Sequence, residues 1–174
     1  MRRVSIGIAC LILSCGAIAA EETTSRCAGE KSRQFDFWIG EWEVHAGDKL
    51  AGTNSIRPIL DGCVLQESWS GAQGSAGSSF NFYNKQDDRW HQFWVWRNGT
   101  TLELSGGYAD GKMILEGEVP APDGKTRKNR ITWYDNADGT VRQHWEQSAD
   151  GGQSWQTVFD GLYKPKKPTT GSEP

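Results

Sequence analysis

The strongest constraint on the fold is a series of five turn signals between residues 98 and 151. Each is an Asn-Gly or Asp-Gly pair, and successive pairs lie 12, 13, 15 and 12 residues apart. Such pairs favour tight hairpin turns, because Asn, Asp and Gly adopt positive φ more readily than other residues. The series therefore predicts consecutive antiparallel strands joined by type I′ turns at Asn98-Gly99, Asp110-Gly111, Asp123-Gly124, Asp138-Gly139 and Asp150-Gly151.

The residues before this series extend the same pattern. The segment 34–39 is rich in aromatic residues and is expected to form a short plug, after which Trp42 and Val44 alternate with two glutamates as a strand. Ten strands are predicted in all, with no helical segment of useful length. They favour an all-β, up-and-down antiparallel barrel, whose closure removes exposed sheet edges, over a two-sheet sandwich. Charged residues on both faces of the strands argue against a transmembrane barrel.

The first 20 residues have the features of a secretory signal peptide. Arg2 and Arg3 precede an apolar run, and Ala17-Ile18-Ala19 supplies a small-residue cleavage site. The alternative is a lipoprotein signal, in which Cys15 carries a lipid that anchors the protein to a membrane. We expect a periplasmic or secreted protein with a signal peptide (1–20), a flexible lead-in (21–33), a single barrel domain (34–164) and a disordered tail (165–174).

Charge and cysteine content are both affected by the leader. Cleavage near Ala19 removes Arg2 and Arg3, which lowers the formal net charge from −3 to −5. An acidic chain without a basic stripe argues against nucleic-acid binding. Cleavage also leaves only Cys27 and Cys63, 36 residues apart. Two cysteines in an exported protein most simply form one disulfide bond.

Nine tryptophans and several polar residues within the strands are the candidates for a binding site. Most of the tryptophans suit core packing, but a barrel of this size can also hold a small hydrophobic or aromatic molecule. Arg142, His144 and Glu146 share one face of the strand 140–148, and the opposite, apolar-rich face is the expected inner one. If the charged face pointed inward instead, Arg142 and Glu146 would form a buried polar pair. The ligand-binding residues proposed from the sequence are Glu67, Gln92, Trp94, Arg130, Arg142 and Trp145.

Enzyme motifs do not appear, and the sequence favours a binding protein over an enzyme. It contains no G-x-S-x-G elbow, H-E-x-x-H motif or Gly-rich phosphate loop. One alternative is an isomerase or hydrolase that uses Glu67 or Glu146 as a general base against Arg142. Another is a cell-envelope interaction module whose lumen is filled by tryptophans. No metal or cofactor is expected, and haem bound by His144 or His91 is a further alternative, although a single strand histidine is more typical of a surface.

Two resemblances concern the fold. Gly40-Glu41-Trp42 resembles the G-x-W signature of lipocalins and other calycins, in which the tryptophan closes one barrel end and a late-strand arginine packs across its indole. Trp42 matches this tryptophan, and Arg142 is the nearest arginine. Much of the chain also resembles an uncharacterised family of exported bacterial proteins similar to calycin barrels, which implies the fold and no catalytic residues. The matching blocks are FDFWIGEW (35–42), LDGCVLQE (60–67), WHQ (90–92), DGTVRQ (138–143), DGGQSW (150–155) and FDG (159–161).

Overall fold

Ten antiparallel strands close into an up-and-down barrel in a computed structural model that describes residues 26–121 and 124–167. Each strand pairs with its neighbours in the chain, and the first pairs with the last, so the predicted barrel is confirmed. A short helix, α1 (Glu30–Arg33), lies in the predicted lead-in, and a 3₁₀ helix (Asp36–Trp38) lies in the predicted plug before the strands. The strands are β1 (Gly40–Ala46), β2 (Lys49–Ile59), β3 (Val64–Gly71), β4 (Ala76–Asn84), β5 (Arg89–Trp96), β6 (Thr101–Ala109), β7 (Lys112–Pro120), β8 (Thr126–Asp135), β9 (Val141–Ser148) and β10 (Gln156–Pro165).

Several predictions for the chain ends lie outside the described residues. They are the signal peptide (1–20), the alternative lipid anchor at Cys15, the lead-in as far as residue 25 and the tail from residue 168. β10 continues to Pro165, one residue past the predicted end of the barrel. The Lys166 amide then donates a hydrogen bond to the Glu41 carbonyl oxygen (2.8 Å), which joins this part of the chain to β1.

The described part of the lead-in is attached to the barrel. Cys27 forms the predicted disulfide bond with Cys63, in the turn between β2 and β3. Lys85 Nζ donates a hydrogen bond to the Arg26 carbonyl oxygen (3.0 Å), and Ser32 is buried. Residues 26–33, the described part of the predicted lead-in, therefore contact the turns of the barrel.

The four fully described turns of the series lie where the sequence predicted them, but most of them differ from it in geometry; Asp123 of the fifth turn lies outside the described residues. Asp110 and Gly111 both have positive φ (51° and 74°), as a type I′ turn requires. Among the other described turns of the series, only the glycine has positive φ. The side chains of Asn98 and Asp138 instead accept hydrogen bonds from the amides of Thr100 and Thr140, two residues later. These local side-chain bonds stabilise a different turn from the one predicted.

The barrel has a filled end and an open end. At the filled end, Phe35 and Trp38 are fully buried and stack with 4.9 Å between ring centroids, and Trp133 packs against both. Trp42 Nε1 donates a hydrogen bond to the Trp38 carbonyl oxygen (3.0 Å). Each such aromatic side chain buries about 150–250 Å², so this cluster forms much of the core. Trp42 thus lies at the filled end of the barrel.

The arginine expected to cover Trp42 is elsewhere. The Arg142 guanidinium lies over the ring of Tyr134, 5.3 Å from its centroid, on the outer surface of the barrel. This arrangement corrects the expectation drawn from the calycin signature. Separately, no helix within residues 26–121 and 124–167 is long and apolar enough to cross a membrane.

Candidate functional site

A cavity of about 470 Å³ lies at the open end of the barrel. Ligand sites typically have volumes of about 300–1,000 Å³. Glu67, Gln92 and Gln143 are the polar groups at its inner end, and Lys49 lies at its mouth. Six residues of the remaining wall are aromatic, and most of the others are aliphatic. The aromatic residues are Trp69, Trp94, Trp96, Trp145, Phe159 and Tyr163. Tryptophans fill the lumen only in part, since Trp133 is packed in the core whereas Trp94 and Trp145 border the cavity.

Glycines on neighbouring strands make room for two of these indoles. A Cβ atom at Gly77 would lie 2.3 Å from Trp94 Cζ2, and one at Gly52 would lie 2.7 Å from Trp69 Cη2. Both distances are far shorter than ordinary van der Waals contact. The absence of these side chains lets Trp94 and Trp69 lie directly against the backbone of the barrel wall, which keeps the lumen open.

The inner face of β9 is the apolar-rich one, as favoured from the sequence. Val141 is buried, and Gln143 and Trp145 line the cavity. His144 and Glu146, on the opposite face, interact with each other at 3.7 Å (Nδ1 to Oε2). The charged face of this strand therefore belongs to the outer surface.

The structure does not bring Arg130 and Arg142 to the cavity, which corrects their assignment as ligand-binding residues. Arg130 forms an ion pair with Glu146 (3.0 Å), and its guanidinium lies over the Trp155 ring, 4.1 Å from the centroid. Arg142 donates two hydrogen bonds to the Asp160 carboxylate (2.8 and 2.7 Å). Carboxylates and aromatic rings on the outer face contact both guanidinium groups. The two arginines therefore keep access to water and avoid the free-energy cost of desolvation.

These positions also correct the arrangement expected for an enzyme. Glu67 lies inside the cavity, as a buried general base would, but Arg142 lies on the other side of the barrel wall. Glu146 and Arg142 are both on the outer face, where Glu146 pairs with Arg130. The proposed combination of a carboxylate base with Arg142 in one cavity is therefore not formed.

Glu67 lies in a hydrogen-bond network of neutral side chains. Asn54 Nδ2 donates to Glu67 Oε1 (2.7 Å), and Ser79 Oγ donates to Glu67 Oε2 (2.6 Å). Behind Ser79, Asn81 Nδ2 donates to the Ser79 hydroxyl (2.8 Å), and Gln92 Nε2 donates to Asn81 Oδ1 (2.8 Å). Every donor in this series points towards Glu67. The carboxyl group is thus fixed in position by β2 and β4.

Tyr163 extends the network on the β10 side. Asn54 Nδ2 also donates to the Tyr163 hydroxyl (3.3 Å), which in turn donates to Gln143 Oε1. Glu67 and Tyr163 are both buried, and both line the cavity. They are the titratable groups at its inner end.

Burial dominates the electrostatics of this pair. Desolvation raises the pKa of Glu67 from 4.5 to about 7, and the hydrogen bonds from Ser79 and Asn54 oppose part of that rise. Desolvation also raises the pKa of Tyr163 well above its usual value, with a further contribution from the nearby Glu67 charge. Tyr163 therefore stays neutral in the pH range where Glu67 titrates.

Two buried polar atoms near the cavity have no hydrogen-bond partner among the described residues. They are Trp94 Nε1, a donor, and Asn54 Oδ1, an acceptor. Trp94 belongs to the cavity wall, and Asn54 holds the Glu67 carboxyl. Buried polar groups are satisfied in most proteins, so a molecule in the cavity could supply a partner for Trp94 Nε1.

The two histidines considered for haem do not line the cavity. His91 Nε2 lies 2.8 Å from Asp87 Oδ2, and the His91 ring stacks on Phe82. His144 Nε2 lies 3.0 Å from Thr157 Oγ1 on the outer face. No histidine occurs among the described residues of the cavity wall, so these residues do not fit a haem held there by an axial histidine.

Four of the six residues proposed from the sequence to bind a ligand line the cavity: Glu67, Gln92, Trp94 and Trp145. Asn54, Ser79 and Tyr163 were not predicted, although Asn54 and Ser79 hydrogen-bond to Glu67 and Tyr163 hydrogen-bonds to Asn54. The sequence could have indicated Asn54, because it lies two residues before Ile56 in the same strand. The two side chains share one face, and Ile56 is buried. Tyr163 gave no comparable signal, since its neighbour Asn54 is 109 residues away in the sequence.

No protein-family model and no curated protein matches this chain. The residues of the cavity therefore carry the functional interpretation.

Proposed function

We propose that this protein binds a small hydrophobic or aromatic molecule in the cavity at the open end of the barrel. The observation that carries the proposal is a partly empty lumen with an aromatic wall and a few fixed polar groups at its inner end. This combination is typical of small-molecule sites, in which apolar contacts supply affinity and few polar groups supply orientation. A purely structural module would gain stability by filling the same space.

We also propose that the protein acts outside the cytoplasm. The disulfide bond between Cys27 and Cys63 supports this location, because such bonds persist in oxidising compartments. The leader-like residues 1–20 support it independently.

Direct binding measurements test the proposal. We expect 2-naphthalenemethanol, a neutral bicyclic aromatic alcohol, to bind the purified protein with one-to-one stoichiometry in isothermal calorimetry. Trp145→Leu should weaken this binding about tenfold or more, because it removes one aromatic wall of the site.

Trp155→Leu is the matched control, since it removes the same side chain from the outer surface, where Trp155 packs on Arg130. It should leave the affinity unchanged. The absence of saturable binding of this alcohol and of its amine and carboxylate analogues would overturn the proposed function. An equal loss of affinity in both tryptophan variants would show that the alcohol does not occupy the cavity.

A further inference from the structure

We infer that the cavity selects an organic amine, with its ammonium group against Glu67 and its apolar or aromatic body between the tryptophans. This inference rests on the proposed function and names the chemical class of the ligand. Three features of the described residues support it. The Glu67 carboxyl has no cationic partner, the cavity wall is rich in aromatic residues, and few other charged groups lie in the cavity.

Glu67 has no cationic partner among the described residues. Its two hydrogen-bond donors, Asn54 and Ser79, are neutral, and no described lysine, arginine or histidine forms an ion pair with it. Only 4% of the residue is exposed, yet it borders a cavity. Buried carboxylates are normally paired with a cation, so a bound ammonium group would supply the missing partner.

The cavity wall suits the rest of such a ligand. Tryptophan rings offer a large apolar area and stack on other rings, so they suit the apolar or aromatic body of the ligand. Trp94 and Trp96 meet nearly at right angles, with 5.6 Å between ring centroids, and Trp145 lies 6.3 Å from Trp96. These three rings border the same space as Glu67.

Few charged groups other than Glu67 lie in the cavity to attract or repel a bound ammonium group. Tyr163 faces Glu67 from β10 and stays neutral, while β2 and β4 present Asn54, Ser79 and Asn81. Lys49 lies at the mouth and is exposed, so its charge is screened by solvent. The net charge expected after leader removal is −5, which favours the approach of cations over anions.

Three probes with the same bicyclic ring test the inference: 2-naphthylmethylamine, 2-naphthalenemethanol and 2-naphthoate. At about pH 8, where Glu67 is mainly ionised, calorimetry should give at least about tenfold tighter binding for the amine than for the alcohol. Glu67→Gln should abolish that preference, because the amide carries no charge to pair with the ammonium group. Glu116→Gln, which removes an exposed carboxylate of the outer face, should retain the preference.

Proton release gives a second measurement that needs no variant. At about pH 6, Glu67 is mainly protonated, so binding of the amine should release close to one proton into the buffer, whereas the alcohol should release none. Calorimetry in two buffers of different ionisation enthalpy measures this number.

Two results would overturn the inference while the proposed function stands. One is binding of the alcohol with equal or greater affinity than the amine. The other is tighter binding of 2-naphthoate, which would assign ligand selection to Lys49 instead of Glu67. Failure of all three probes to bind would overturn the proposed function as well.

Discussion

The buried Glu67 carboxyl predicts how the stability of the protein depends on pH. Its pKa is raised in the folded state from 4.5 to about 7. Below the lower value, Glu67 is protonated in both the folded and the unfolded chain. Between the two values, the folded chain keeps the proton that the unfolded chain loses. The free energy of unfolding therefore falls as pH rises from about 4.5 to about 7.

The size of this fall follows from the pKa values. Each pKa unit corresponds to about 1.4 kcal/mol, so ionisation of Glu67 destabilises the fold by about 3 kcal/mol above pH 7. Glu67→Gln removes the ionisation and keeps the shape, and the Ser79 hydroxyl can rotate to accept from the new amide. We expect the variant to match wild type within about 1 kcal/mol at pH 4.5 and to exceed it by about 3 kcal/mol at pH 8.

Urea unfolding of both proteins between pH 4.5 and 8, with the disulfide intact, provides the measurement. The difference in unfolding free energy between the two proteins isolates Glu67, because other titrating groups are common to both. Glu116→Gln serves as the control for loss of one carboxylate and should follow wild type across the range. A difference between wild type and Glu67→Gln that stays constant with pH would refute the reasoning.

Two further predictions concern the stability of the barrel. Replacement of both Cys27 and Cys63 by serine should lower the unfolding free energy by about 3–4 kcal/mol, since the bond closes a long loop; an unchanged urea midpoint would contradict this. Gly77→Ala should cost about 1–3 kcal/mol and shift the fluorescence of the displaced Trp94, because the new Cβ meets its indole. Gly107→Ala is its control, as no atom lies within 4 Å of that Cβ position, and equal effects at both glycines would disprove the packing argument.

The order of the strands was predictable because its signals are local. Asn-Gly and Asp-Gly pairs mark most of the turns from β5 onwards, and a strand of about eight residues fits between successive pairs. Neighbouring strands then pair in chain order, with no crossover to identify. The detailed turn type was not predictable from these pairs, because Asn98 and Asp138 act through their side chains.

The site was harder to predict because aromatic residues occur on both faces of the wall. Tyr134 and Trp155 lie outside, where they pack against Arg142 and Arg130. From the sequence, an arginine next to aromatic residues in a strand could therefore face either the cavity or the outer surface. The surroundings of Glu67 depend on the pairing of β1 with β10, which places Tyr163 beside Val44 and close to Asn54. Contacts created by closure of the barrel leave no periodic signal in the sequence.

The two ends of the described chain have a practical consequence for the cavity. Arg26 contacts the turn between β4 and β5, and Lys166 contacts the start of β1, so both lie at the filled end. The turn from Ala46 to Lys49 lies at the opposite end and borders the mouth. A tether that joins the chain at residue 26 or residue 166 would therefore attach at the filled end, away from the mouth. Immobilised protein should accordingly bind ligand as freely as protein in solution.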